Sequence, residues 1–121
     1  MFVYYNANPL GRQVNDCTVR AISKATGKSW DSTYVELSEY ARLQGNMPDD
    51  VEYIDGYLKE NFSEVCGCKG KQITIRDFIR QNPEGTFLIT MNGHITCCIN
   101  GCILDTFDPS DRYIWGIYRV K

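Results

Sequence analysis

Two Asn-Gly pairs, Asn92-Gly93 and Asn100-Gly101, bound the short run His94-Ile95-Thr96-Cys97-Cys98-Ile99. An Asn-Gly pair tolerates the positive φ angles of a type I′ turn, the two-residue connection whose twist matches paired strands. The spacing predicts a three-stranded antiparallel meander over 87–91, 94–99 and 102–107. A fourth strand, 113–120, is expected after the turn Asp108-Pro109-Ser110-Asp111. The turn at Asn100-Gly101 also fixes register. It sets Ile99 opposite Cys102, Cys98 opposite Ile103, Thr96 opposite Asp105 and His94 opposite Phe107. Side chains alternate between faces with period two, so His94, Thr96, Cys98, Ile103, Asp105 and Phe107 share one face. Asp105 is the diagonal neighbour of His94, at roughly 7 Å between backbones. A carboxylate there can hold the imidazole by one nitrogen. Asp108 points to the other face past the strand end and is the alternative acid.

The first half of the chain has helical periodicity instead. A short strand is expected over 2–5, then a loop marked by Asn8-Pro9 and Gly11. Asn15-Asp16 reads as a polar cap, because an Asn or Asp side chain accepts an otherwise unpaired N–H of the first turn. Val19, Ala21, Ile22 and Ala25 follow at helical spacing, with Gly27 as the stop. Cys17 therefore falls in the first turn, where the helix dipole favours a thiolate. A second helix, capped by Ser29, Asp31 or Ser32, buries Tyr34, Leu37 and Ala41, with Tyr40 at the margin. A third starts at Pro48-Asp49-Asp50 and carries Val51, Ile54 and Leu58 on one face. Residues 62–71 read as turns, and Thr74-Ile75-Arg76-Asp77 resembles a capping box for a short helix ending near Gln81. Helices first and an antiparallel sheet second is an α+β layout in one domain, 1–121.

Composition narrows the function. The net charge of −2, with no basic stripe, argues against a nucleic-acid partner. No apolar run approaches membrane-spanning length. The opening residues lack the charged and apolar regions of a secretory signal, so the six cysteines are expected to be reduced thiols in the cytoplasm. Cys66-Gly67-Cys68 with Cys97, Cys102 and His94 is a possible zinc set. Its Cys-x-Cys gap is tighter than usual, and the register turns His94 away from Cys97 and Cys102, so no metal or other cofactor is expected. Arg20, one turn after Cys17, is expected to pair with Asp16 or with a carboxylate of the sheet. Trp30 and Trp115 read as core and rim, with Trp115 able to line a cleft.

A thiol at a helix start, a lone histidine on a strand and an aspartate on the next strand form the set a thiolate nucleophile needs: a base, and a group that orients it. At these positions the chain resembles the papain-like cysteine peptidase superfamily. It is most similar to small papain-like proteins of bacteriophages and gut bacteria. The shared elements are Asn8-Pro9-Leu10-Gly11, Asp16-Cys17-Thr18-Val19-Arg20-Ala21, and His94 through Gly101 to Asp105-Thr106-Phe107-Asp108. The resemblance implies a papain-like fold with Cys17 as nucleophile, His94 as general base and Asp105 as orienting acid. Papain-like enzymes carry an oxyanion-hole Gln several residues before the cysteine. The candidates here are Gln13 and Asn15, neither at that spacing, beside the Cys17 backbone N–H. The expected activity is hydrolysis of an amide, isopeptide or thioester bond in a protein or peptide-like substrate, in the host cytoplasm if the chain is phage-encoded. Acyl transfer would use the same groups. The alternative is a non-catalytic binding or virion protein of the same fold that masks a host target.

Overall fold

The computed structural model describes residues 1–50, 53–65 and 71–120. Val51 and the Cys66-Gly67-Cys68 segment lie outside them. The elements run β1 (Phe2–Tyr4), α1 (Cys17–Thr26), α2 (Trp30–Leu43), α3 (Ile54–Asn61), β2 (Ser63–Val65), α4 (Ile75–Gln81), β3 (Thr86–Met91), β4 (His94–Ile99), β5 (Cys102–Asp105) and β6 (Gly116–Arg119). This is an α+β fold, with mostly N-terminal helices on a six-stranded, mostly antiparallel sheet of order β1-β5-β4-β3-β6-β2.

The central meander has the expected register, with Cys98 paired to Ile103 and Ile99 to Cys102. Asn100 and Gly101 both take positive φ, 49° and 78°, as the twist of a type I′ turn requires. The first Asn-Gly pair departs from that form. Gly93 has a φ of 72°, but Asn92 is not in the left-handed region, and its carbonyl accepts from the Arg112 guanidinium. The turn still joins β3 to β4 through two residues, with Met91 paired to His94.

Four expectations need correction. The sheet is mixed, because β1 pairs parallel to β5. Residues 63–65 form an edge strand, β2, on β6 where only turns were expected. The third helix starts at Ile54, not at Pro48. Upstream of it the Tyr53 hydroxyl donates to the Pro48 carbonyl at 2.5 Å, and the Asp50 N–H donates to the Met47 carbonyl at 3.0 Å, closing a turn before the helix. Tyr34 is not in the core; it is 45% exposed and stacks on Trp30.

Both faces of the sheet are covered. Ala21, Ile22 and Ala25 of α1, Leu37 and Ala41 of α2 and Leu58 of α3 are buried with Leu88, Ile95 and Cys97. Ile75 and Phe78 of α4 are buried with Phe87, Ile89, Cys98 and Ile103 on the opposite face. Thr74 caps α4 as expected, its hydroxyl accepting the Asp77 N–H at 3.2 Å. α1 packs chiefly on β4, which brings its first residue to the end of the sheet where β4 begins.

Candidate active site

Three side chains from three elements meet where α1 starts. The Cys17 thiol lies against the His94 imidazole, with the Ile95 N–H and the Thr18 hydroxyl beside it, and all three act to lower its pKa. His94 Nε2 donates to Asp105 Oδ2 at 2.7 Å, which leaves Nδ1 for the thiol. The Thr96 hydroxyl donates to the same oxygen at 2.6 Å, and the Thr106 N–H to Asp105 Oδ1 at 2.7 Å. The Phe107 ring packs tilted against the imidazole, with ring centroids 4.6 Å apart. The side chains of His94 and Asp105 are 7% and 3% exposed, so the pair is shielded from water. Asp108, the alternative acid, is exposed and turned to Ser110.

The electrostatics follow from these contacts. Burial on its own would raise the Cys17 thiol, but the bonds from His94 and the Ile95 N–H and the imidazole charge outweigh it, and the pKa falls below a thiol's ordinary value. Burial would lower His94, yet its bonds to Asp105 and Cys17 carry it up to about 9. Burial would raise Asp105, but its bonds to His94 and Thr96 hold it below the usual carboxylate range. For Cys97 and Cys98 burial outweighs the opposing Lys24 charge and the Gly101 N–H, and pushes them up to about 12 and about 11. The Cys17 and His94 shifts both run in the direction of a thiolate–imidazolium pair.

Around the pair runs an open cleft of about 820 Å³. Cys17, His94, Trp30, Tyr34, Met47 and Trp115 are among its walls. Trp115 lines the cleft as anticipated, 54% exposed. Asn15 lines it too, whereas Gln13 is exposed and outside the lining.

Arg20 pairs with both carboxylates suggested for it. Its Nε donates to Asp16 Oδ1 at 2.8 Å and its Nη1 to Asp105 Oδ1 at 3.1 Å. Asp16 is the N-cap residue by position only. Its other oxygen accepts from Trp30 Nε1 at 2.9 Å and Asn8 Nδ2 at 3.4 Å, and no side chain caps α1 among the described residues. The capping role read for Asp16 is thus overturned by these competing donors. Thr96 has a place at the site that the sequence reading did not assign, although its register position opposite Asp105 was the signal for it. Among the described residues no three His, Cys, Asp or Glu side chains gather as metal ligands, and Cys17, Cys97, Cys98 and Cys102 are free thiols. Compared with protein families, curated proteins and solved structures, the chain finds no match.

Proposed function

We propose that the protein is a thiol hydrolase of papain-like type acting on a protein or peptide-like substrate through Cys17, His94 and Asp105. The observation that carries this is the buried His94–Asp105 hydrogen bond with the Cys17 thiol set against the same imidazole, opening on a cleft. The placement of nucleophile, base and acid on α1, β4 and β5 supports the papain-like reading. In the first step the Cys17 thiolate attacks the carbonyl carbon of an amide, isopeptide or thioester, forming a C–S bond. His94 gives its proton to the leaving amine or thiol as the C–N or C–S bond of the substrate breaks. A water then loses a proton to His94 and attacks the acyl-enzyme, releasing the acid and restoring the thiolate. Asp105 holds the imidazole in the orientation both transfers need. The Cys17 backbone N–H is the primary oxyanion donor, with Asn15 in reach of the same cleft and Gln13 left without a role. Free thiols at four positions are compatible with a cytoplasmic site of action, that of the host if the chain is phage-encoded.

The test is the pH dependence of Cys17 alkylation by iodoacetamide, read by peptide mapping in the wild type and His94→Ala. Selective labelling of Cys17 below about pH 7, lost or moved upward in His94→Ala, is expected. Panels of peptide, isopeptide and thioester substrates then follow. Uniform slow labelling of all the cysteines, unaffected by His94→Ala, would refute the activated nucleophile.

One feature favours the non-catalytic reading. Trp115, Met47 and Tyr34 leave the cleft rim apolar and 54%, 68% and 45% exposed, a surface suited to holding a protein partner. Cys17→Ala abolishing turnover would support the hydrolase, and Cys17→Ala leaving the whole biological effect intact would support the mask.

A further inference from the structure

Arg20 sits between two buried carboxylates, Asp16 and Asp105, which touch opposite ends of the site. Asp16 immediately precedes the nucleophile, and Asp105 holds the base. The side chains of Arg20, Asp16 and Asp105 are 11%, 6% and 3% exposed, so little solvent screens them. The guanidinium fork spans the gap between α1 and β5, with the Thr106 hydroxyl accepting from Nη1 at 3.2 Å. Both oxygens of Asp16 are engaged, one by Arg20 and the other by Trp30 and Asn8.

We propose that Asp16 and Arg20 are positioning residues that act as a balanced charge pair, fixing Asp105 against His94 and setting the pH window in which the Cys17–His94 pair is ionised. The inference rests on the reading that this pair is reactive. Arg20 holds the Asp105 oxygen that His94 does not use, so the carboxylate cannot rotate away from the imidazole. Left alone, however, its positive charge would oppose the imidazolium. Asp16 cancels that field from the far side while tying the start of α1 to Trp30 on the cleft wall.

The other charges facing this cluster are few. From α1 come Cys17 and Lys24, the latter over the Tyr5 ring at 4.6 Å. From β4 come His94 and Cys97, which feels both Lys24 and Asp105. From α2 the contact is the uncharged Trp30 indole. Across the cleft stand Asp49 and Asp55. All of these stay unchanged in the variants below.

The experiment is the rate of Cys17 alkylation against pH in Asp16→Asn, Arg20→Gln, Arg20→Lys and the Asp16→Asn/Arg20→Gln double variant, with folding checked by circular dichroism. Asp16→Asn removes a negative charge, which favours the thiolate and disfavours the imidazolium. Both limbs of its profile are expected to move down, by about half a pH unit or more. Arg20→Gln removes the positive charge, and both limbs are expected to move up by a similar amount. Arg20→Lys keeps the charge and restores most of the wild-type window. The double variant returns close to the wild type. A merely structural role would lower reactivity in both single variants without moving the limbs in opposite directions. If Asp16→Asn does not fold, the Arg20→Gln shift and its rescue by Arg20→Lys decide the matter. Unmoved limbs, or shifts of the same sign, overturn the charge pair while the hydrolase reading stands. A wild type with no selective low-pH labelling overturns both.

Discussion

Replacing Thr96 by valine removes one donor from Asp105 and changes little else. Thr96 is 1% exposed, and its hydroxyl lies 2.6 Å from the carboxylate oxygen that also receives His94. Valine has the same shape. The lost bond is to an ionised group, and such bonds are worth about 1.5–3 kcal/mol. Burying a methyl in place of a hydroxyl recovers part of this, about 0.8 kcal/mol. Asp105 keeps its bonds from His94, Arg20 and the Thr106 N–H, so the site does not collapse. The net loss should be about 1–2 kcal/mol at pH 7, or a urea midpoint lower by about 0.5–1 M. Its pH dependence is the sharper signature. The hydroxyl stabilises the carboxylate, not the acid, and so helps to hold the Asp105 pKa below its ordinary value. A depressed carboxylate contributes stability above its unfolded value of about 3.9, and that contribution is lost as pH falls through the folded value. The gap between wild type and Thr96→Val should therefore be full at pH 7 and close in acid. Thr96→Ser, which keeps the hydroxyl, should retain the pH-dependent part. Urea titrations at several pH values decide it, and a valine variant as stable as the wild type at pH 7, or a gap that persists in acid, would refute the reasoning.

Other perturbations test the neighbouring links. His94 is carried up to about 9, so its stabilising contribution is complete below about pH 6.5 and is lost as pH rises through 9. Cys17 is lowered, so its contribution has the opposite sense and is lost as pH falls through its folded value. In the wild type the two contributions oppose one another, so stability should fall less steeply as pH rises above about 6.5 than in Cys17→Ser, where His94 keeps only Asp105; equal slopes in urea titrations would count against the ion pair. Phe107→Ala, at a ring 43% exposed, should hydrate His94 and relieve the burial that lowers it, moving the upper limb of the Cys17 alkylation profile upward. Thr74→Ala should cost about 0.5–2 kcal/mol in thermal or urea unfolding by removing the cap of α4, and leave the Cys17 profile unchanged.

What was legible in the sequence was what short-range chemistry decides. Asn100-Gly101 fixed one turn, the turn fixed register, and register alone put Thr96 and Asp105 opposite one another and His94 on their diagonal. The start of α1 at Cys17 and the cap at Thr74 were readable for the same reason. The edges of the sheet were only half legible. β1 was readable as a strand but not as a parallel partner of β5, and β2, three residues long, is too short to show an alternation and exists because β6 offers unpaired backbone groups. The start of α3 was misread because the carboxylates at 49–50 suit a first helical turn, while the Tyr53 hydroxyl and the Met47 carbonyl close a different turn there. Tyr34 was assigned to the core from its periodicity, but a cleft needs walls, and a helix that borders one leaves an aromatic uncovered. A cleft is made by the spacing between elements, and no local pattern carries that spacing.

The fate of Asp16 joins these levels. An aspartate before a helix ordinarily turns its carboxylate onto the first N–H groups. Had Asp16 done so, it would have filled those donors and set a negative charge beside the Cys17 sulfur, opposing the thiolate. Arg20, Trp30 and Asn8 draw the carboxylate the other way instead. α1 is then left without a side-chain cap among the described residues, and Cys17, Thr18 and Val19 line the cleft. An uncapped helix start sacrifices about 1 kcal/mol of stability. On the proposed reading, the N–H groups left free at the start of α1 are then available to a thiolate at Cys17 and to the oxyanion of its substrate adduct. The residue that looked like the plainest structural signal at the start of α1 is therefore the one whose diversion leaves the helix end free for the chemistry proposed for Cys17.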